Sequence, residues 1–152
     1  MLTVIGDIHG KVDSYLKIAN NCAATLQIGD FGFSSAWNKL HYSGLSDDNH
    51  KVILGNHDDY DIAPLSSFCL GDYGPATLGG VEFFYIRGGL SIDRTYREVD
   101  RLNRGPRTYW TQEELSFAQM LDCMDLYRSC KPDIVISHVP PSRFIPELTK
   151  SD

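Results

Sequence analysis

Residues Leu2-Thr3-Val4-Ile5-Gly6-Asp7-Ile8-His9-Gly10 open the chain with a short, partly β-branched apolar run that stops at a glycine and gives way to an acid and a histidine. A run of this length, ended by glycine, reads as a buried strand followed by a turn. The same grammar recurs twice: Ala24 to Ile28 ends at Gly29-Asp30, and Val52 to Leu54 ends at Gly55-Asn56-His57-Asp58. Between the first two runs, Val12, Tyr15, Leu16 and Ala19 lie at helical spacing and predict a helix over residues 11–20. A second helix is expected over 35–43, followed by a loop at Gly44 and Ser46-Asp47-Asp48-Asn49. Strands alternating with helices predict an α/β fold with parallel pairing and covered faces. Farther along, Thr77 to Arg87, with Gly79-Gly80 inside it, reads as a hairpin. Gln112 to Tyr127 reads as a helix with Thr111 as its N-cap, and Ile134 to Ile136 as a last strand ending at Ser137-His138.

The length of 152 residues fits one domain over 1–152, and 42% hydrophobic residues are enough for a single core. A net charge of −6 excludes the basic face of a general nucleic-acid binder. No apolar run approaches the roughly 18–20 residues of a membrane span, and Met1 to Gly10 lacks the apolar stretch of a signal peptide. The expectation is a soluble, unprocessed chain with no membrane partner. Cys22, Cys69, Cys123 and Cys130 are scattered without Cys-x-x-Cys spacing, which fits a reducing, cytoplasmic setting. Six of the eight arginines, at 87, 94, 97, 101, 104 and 107, fall in one segment that also holds Gly88-Gly89 and Gly105-Pro106 and reads as largely loop. Two readings stand for it: a solvated loop paired with Asp93, Glu98 and Asp100, or a source of phosphate ligands. For the second, Arg94 and Arg97 are the preferred residues, since guanidinium matches phosphate bidentately.

Asp7 and His9, Asp30, Asn56 with His57 and Asp58, and His138 stand at the predicted ends of four strands. In open α/β sheets these carboxyl ends line the ligand crevice. Carboxylate, amide oxygen and imidazole together suit Mn²⁺, Fe²⁺ or Zn²⁺, while the absence of thiolate argues against a structural zinc site.

The segments Gly6-Asp7-Ile8-His9-Gly10, Gly29-Asp30, Gly55-Asn56-His57-Asp58 and Ser137-His138 resemble the calcineurin-like metallophosphoesterase family in order and spacing over residues 2–140. The resemblance implies a two-sheet α/β sandwich flanked by helices and two divalent metal ions. Asp7 and His9 would bind one ion, Asn56 and His138 the other, and Asp30 would bridge them. His57 is similar in position to the family's catalytic histidine. Asp58 or Asp59 would orient it, although Asp58 reads equally well as a helix cap. The implied reaction is hydrolysis of a phosphomonoester or phosphodiester. Two ions roughly 3.5–4 Å apart lower the pKa of a shared water and clamp phosphate oxygens, so that a bridging hydroxide attacks while His57 protonates the leaving oxygen. Nucleotides, nucleic-acid ends and phosphoproteins all carry the required group. Gly29-Asp30-Phe31-Gly32-Phe33 and Gly89-Leu90-Ser91-Ile92-Asp93-Arg94 look most like small phage and bacterial phosphoesterases, which would place the chain in a host cytoplasm.

Two departures qualify the resemblance. The family's closing Gly-His-x-His motif is missing: 14 residues follow His138 and none is histidine. The expectation is a C-terminally short site whose second metal binds weakly, or one completed by another subunit; His41 and His50 are the spare histidines. Phe33-Ser34 also stands where protein phosphatases carry an acid and an arginine, which lowers the expectation of protein phosphatase activity. The competing reading is therefore a catalytically impaired relative that binds a phosphate ligand or a protein.

Overall fold

The computed structural model describes residues 1–141, so most of the stretch after His138 lies outside the described residues. Strands β1 (Leu2–Ile5), β2 (Ala24–Ile28) and β3 (His50–Ile53) form a parallel sheet in that order, joined by helices α1 (Val12–Ala19) and α2 (Ser34–His41). A second sheet follows. Strands β4 (Tyr73–Leu78) and β5 (Val81–Ile86) make an antiparallel hairpin about Gly79-Gly80, and β6 (Val135–Ser137) adds in parallel to β5.

Side-chain alternation explains the layering. Along β2, Ala24, Leu26 and Ile28 pack with Ile53 of β3 and with Leu78, Phe83 and Tyr85 of the hairpin, which joins the two sheets face to face. Val52 and Leu54 point the other way, into a core made with Val12, Tyr15 and Ala19 of α1 and Trp37 and Leu40 of α2. Both faces of the first sheet are thus covered, as parallel pairing requires. On the outer face of the second sheet, Phe84 meets Tyr127 edge to face with ring centroids 5.7 Å apart. Tyr127 belongs to helix α4 (Phe117–Cys130).

The expected two-sheet α/β sandwich flanked by helices is present, with three local corrections. The arginine segment, read as largely loop, holds helix α3 over Arg94–Leu102, with turns and loops on either side. Its glycines and proline punctuate the ends, and nothing between Leu90 and Arg104 breaks a helix. The helix expected from Gln112 starts at Phe117, because Ser116 and Gln119 form a reciprocal capping box while Thr111–Glu113 makes only one 3₁₀ turn. Strand β3 begins at His50, two residues early, where it pairs with Thr25 of β2.

Candidate metal centre

Each loop at the carboxyl end of β1, β2 and β3 is tied to the next through main-chain groups. The amides of Ile8 and His9 donate to the carbonyl of Asp30 at 3.2 and 2.9 Å, and the Gly10 amide donates to the carbonyl of Phe31 at 2.8 Å. The His57 amide donates to Asp30 Oδ1 at 2.8 Å. His9 and Asp30 sit at φ +43° and +55°, left-handed conformations for non-glycine residues that concentrate at functional sites. Gly29 and Gly55 are required by close approach. A Cβ on Gly29 would lie 2.3 Å from His138 Nδ1, and one on Gly55 would lie 2.3 Å from Asp30 Oδ1.

These ties bring five of the predicted ligands together. Asp7, His9 and Asp30 offer donor atoms that all lie within 4.8 Å of one another, with His9 Nε2 3.8 Å from both Asp7 Oδ2 and Asp30 Oδ2. The other oxygen of Asp30 turns toward His138, whose Nε2 is 3.3 Å from Asp30 Oδ1 and 3.0 Å from Asn56 Oδ1. His138 arrives from the second sheet, directly after β6, and Asp7 Oδ1 lies 3.9 Å from its Nδ1.

The donor chemistry fits cations. His138 Nδ1 is 2.9 Å from the carbonyl oxygen of Ile28, which can only accept, so the proton of the neutral ring resides on Nδ1. The Asn56 amide nitrogen donates to Ser91 Oγ at 3.0 Å, which turns Asn56 Oδ1 to the opposite side. The Nε2 lone pair of His138, Asn56 Oδ1 and Asp30 Oδ1 therefore converge as three acceptors. A proton on Nε2 satisfies two of them; a divalent cation satisfies all three.

His57 lies at the rim of this cluster, edge to face with His9 at 5.6 Å between centroids. Arg97 Nη2 is 3.5 Å from His57 Nε2. Burial lowers the His57 pKa, with the Asp30 carboxylate pulling it up and the Arg97 guanidinium pushing it down.

The remaining predicted residues take other positions. Asp58 is fully buried, and its two oxygens accept the Gly32 and Gly55 amides at 2.8 and 2.7 Å. It clamps the loop after β2 to the loop after β3; the hydrogen bonds seen are to these amides, not to the His57 ring. Burial pushes its pKa up to about 7 against the pull of the two amides. Asp59 accepts from the Ser34 hydroxyl at 2.5 Å. Arg94 stands exposed at the start of α3, 3.7 Å from Glu114. Arg97 is buried, and its guanidinium donates to Asp93 at 3.0 Å, to the carbonyls of Asn56 and Thr108, and to Ser91 Oγ. These partners, with His57, occupy the faces that a phosphate would use. Of the spare histidines, His50 faces Thr25 in the core and His41 meets Tyr42 edge to face.

Sequence reasoning missed Ser91 and Glu113. Ser91 lies in the phrase Gly89 to Arg94 that resembles small phage and bacterial phosphoesterases, and Glu113 falls near the start of the helix expected from Gln112; it is fully buried and accepts the Ser91 amide at 2.9 Å.

No curated protein matches the chain. The family model for calcineurin-like phosphoesterases matches residues 1–151, which is the span that carries all the converging ligands. With a two-sheet α/β fold, loops that gather carboxylate, imidazole and amide donors, and this match, the chain belongs to the calcineurin-like phosphoesterase family.

Proposed function

We propose that the chain hydrolyses phosphomonoesters or phosphodiesters at a centre holding two divalent cations, with Mn²⁺, Fe²⁺ or Zn²⁺ favoured by the mixed oxygen and nitrogen donors. The observation that carries this reading is the division of Asp30: Oδ2 faces Asp7 and His9, and Oδ1 faces Asn56 and His138. Asp7, His9 and Asp30 would hold one cation, and Asp30, Asn56 and His138 the other. When bound, the cations supply Lewis-acid polarisation of phosphoryl oxygens and an acidified water.

The chain's own residues do the rest. The backbone ties from Ile8, His9, Gly10 and His57 fix the loops before substrate arrives, so little reorganisation is needed on binding. His57 serves as general acid. Arg97 can only donate, so the neutral His57 ring keeps its proton on Nδ1, the nitrogen that Arg97 does not face. As general acid the ring starts as the imidazolium, gives one proton to the leaving oxygen and returns to this neutral form. Phosphate is held chiefly by the cations, with Arg94 as the exposed arginine available nearby in sequence.

The test is Mn²⁺-dependent hydrolysis of a bis-aryl phosphodiester and of an aryl phosphomonoester by the full chain, with His57→Ala purified in parallel. Turnover of either ester that needs metal and falls by about 10²–10⁴ in the variant is expected. Metal-independent turnover, or equal turnover by the variant, overturns the catalytic reading. Folded protein that binds metal yet hydrolyses neither ester favours a phosphate-binding module.

A further inference from the structure

Behind Asn56 lies a buried polar relay that neither the ligand set nor the acid uses. Ser91 is 1% exposed and follows Gly88-Gly89-Leu90 in the loop after β5. Its oxygen receives Asn56 Nδ2 at 3.0 Å and an N–H of Arg97. On the far side, Oε1 of the Glu113 carboxylate takes the Ser91 amide at 2.9 Å, while Oε2 is buried with no hydrogen-bond partner.

The donor and acceptor inventory gives this relay a direction. Arginine has no acceptor and occupies one lone pair of the Ser91 oxygen; a carboxylate can only accept, and the buried, unpartnered Oε2 of Glu113 is the acceptor open to the hydroxyl proton. One lone pair is left, so Ser91 can meet Asn56 only as an acceptor. Asn56 must then present its NH₂ to Ser91 and its Oδ1 to His138 and Asp30. An unassisted asparagine amide has two orientations related by a half-turn about its last bond, and one of them aims NH₂ at the cation.

We propose that Ser91, polarised between Glu113 and Arg97, is a positioning residue that locks the Asn56 amide with its oxygen toward the second cation. This rests on the metal-centre reading above. Partners that orient ligands from outside commonly govern metal affinity by about 10–100-fold.

The experiment is calorimetric titration of the full chain with Mn²⁺ for wild type, Ser91→Ala, Ser91→Thr, Asn56→Asp and the Ser91→Ala/Asn56→Asp double variant, each first shown folded by circular dichroism. Ser91→Ala should weaken the weaker of two binding steps by about 10–100-fold, and Ser91→Thr, which keeps the hydroxyl, should recover most of it. An aspartate at position 56 has two equivalent oxygens and no wrong orientation. Adding Ser91→Ala to Asn56→Asp should therefore change affinity by less than about threefold, a coupling that a generally loosened loop does not produce. Equal Mn²⁺ affinity in wild type and Ser91→Ala, or the same loss in both backgrounds, overturns the proposal while leaving the metal centre standing. Wild type that binds no Mn²⁺ overturns both.

Discussion

Replacing Gly29 by alanine probes the joint between the sheets and the metal centre. Gly29 has φ +106°, outside the narrow left-handed well near +57° that other residues enter, so backbone strain alone costs about 1–3 kcal/mol. The new methyl would stand 2.3 and 2.6 Å from Nδ1 and Cγ of His138 and 2.9 Å from the Gly55 Cα. Ordinary contact needs about 3.5 Å, so the ring must retreat by about 1 Å while backbone blocks the other side. Overpacking of this kind costs about 1–3 kcal/mol. The sum is about 2–6 kcal/mol, or about 5–20 °C in melting temperature for a chain of this size. Gly80→Ala is the control: φ is +78°, no atom lies within 4 Å of the added carbon, and only the strain applies. Urea denaturation should rank Gly29→Ala below Gly80→Ala. The retreat also takes His138 Nε2 away from Asn56 and Asp30, so Mn²⁺ should raise the melting temperature less in Gly29→Ala than in Gly80→Ala. Equal stabilities and equal Mn²⁺ shifts in the two variants would refute the reasoning.

Other perturbations separate structural from chemical roles. Asp58→Ala leaves the buried Gly32 and Gly55 amides without their acceptor, at about 1–3 kcal/mol each, and urea denaturation should show a loss of about 2–6 kcal/mol; a loss under about 1 kcal/mol would contradict the clamp. His50 is buried with Nδ1 2.9 Å from Thr25 Oγ1, which is 3.1 Å from the Tyr15 hydroxyl, and burial lowers its pKa from 6.5. Above that value the ring is neutral in folded and unfolded chains alike. As the pH falls below it the unfolded chain takes the proton first, and stability is lost until the folded pKa is passed. The melting temperature of wild type should therefore fall more steeply than that of His50→Gln between about pH 7 and pH 5, and parallel curves would exclude the effect. Ser116→Ala removes the exposed cap of α4 and should cost about 1 kcal/mol with Mn²⁺ binding unchanged; altered Mn²⁺ affinity would show that α4 is coupled to the centre.

The first half of the fold was legible because each βα unit carries its own punctuation. Gly6, Gly29 and Gly55 close three apolar runs, and the residues just beyond them, Asp7, Asp30 and Asn56, converge where parallel strands place their ends. His138 was found by order along the chain, and its partners lie 110 and 82 residues away, at Ile28 and Asn56. The second half was read less well because its determinants are tertiary. Arg97 is an arginine among six in the segment until α3 buries it against Asp93, Ser91 and His57. Glu113 resembles any acid in a first helical turn, and only the folded chain shows it enclosed behind Ser91. Asp58 illustrates the converse: its neighbourhood to His57 in sequence suggested a contact, but its carboxylate turns to two glycine amides instead.

The central claim is that Asp30 joins two cation sites. Titration of the full chain with Mn²⁺, followed by electron paramagnetic resonance and calorimetry on wild type and Asp30→Asn, addresses it directly. The account predicts two ions per wild-type chain with the spectrum of a coupled pair, and loss of affinity at both sites, each by at least about tenfold, in a folded Asp30→Asn variant. A single uncoupled ion, or two ions whose affinities are unchanged by Asp30→Asn, would contradict it.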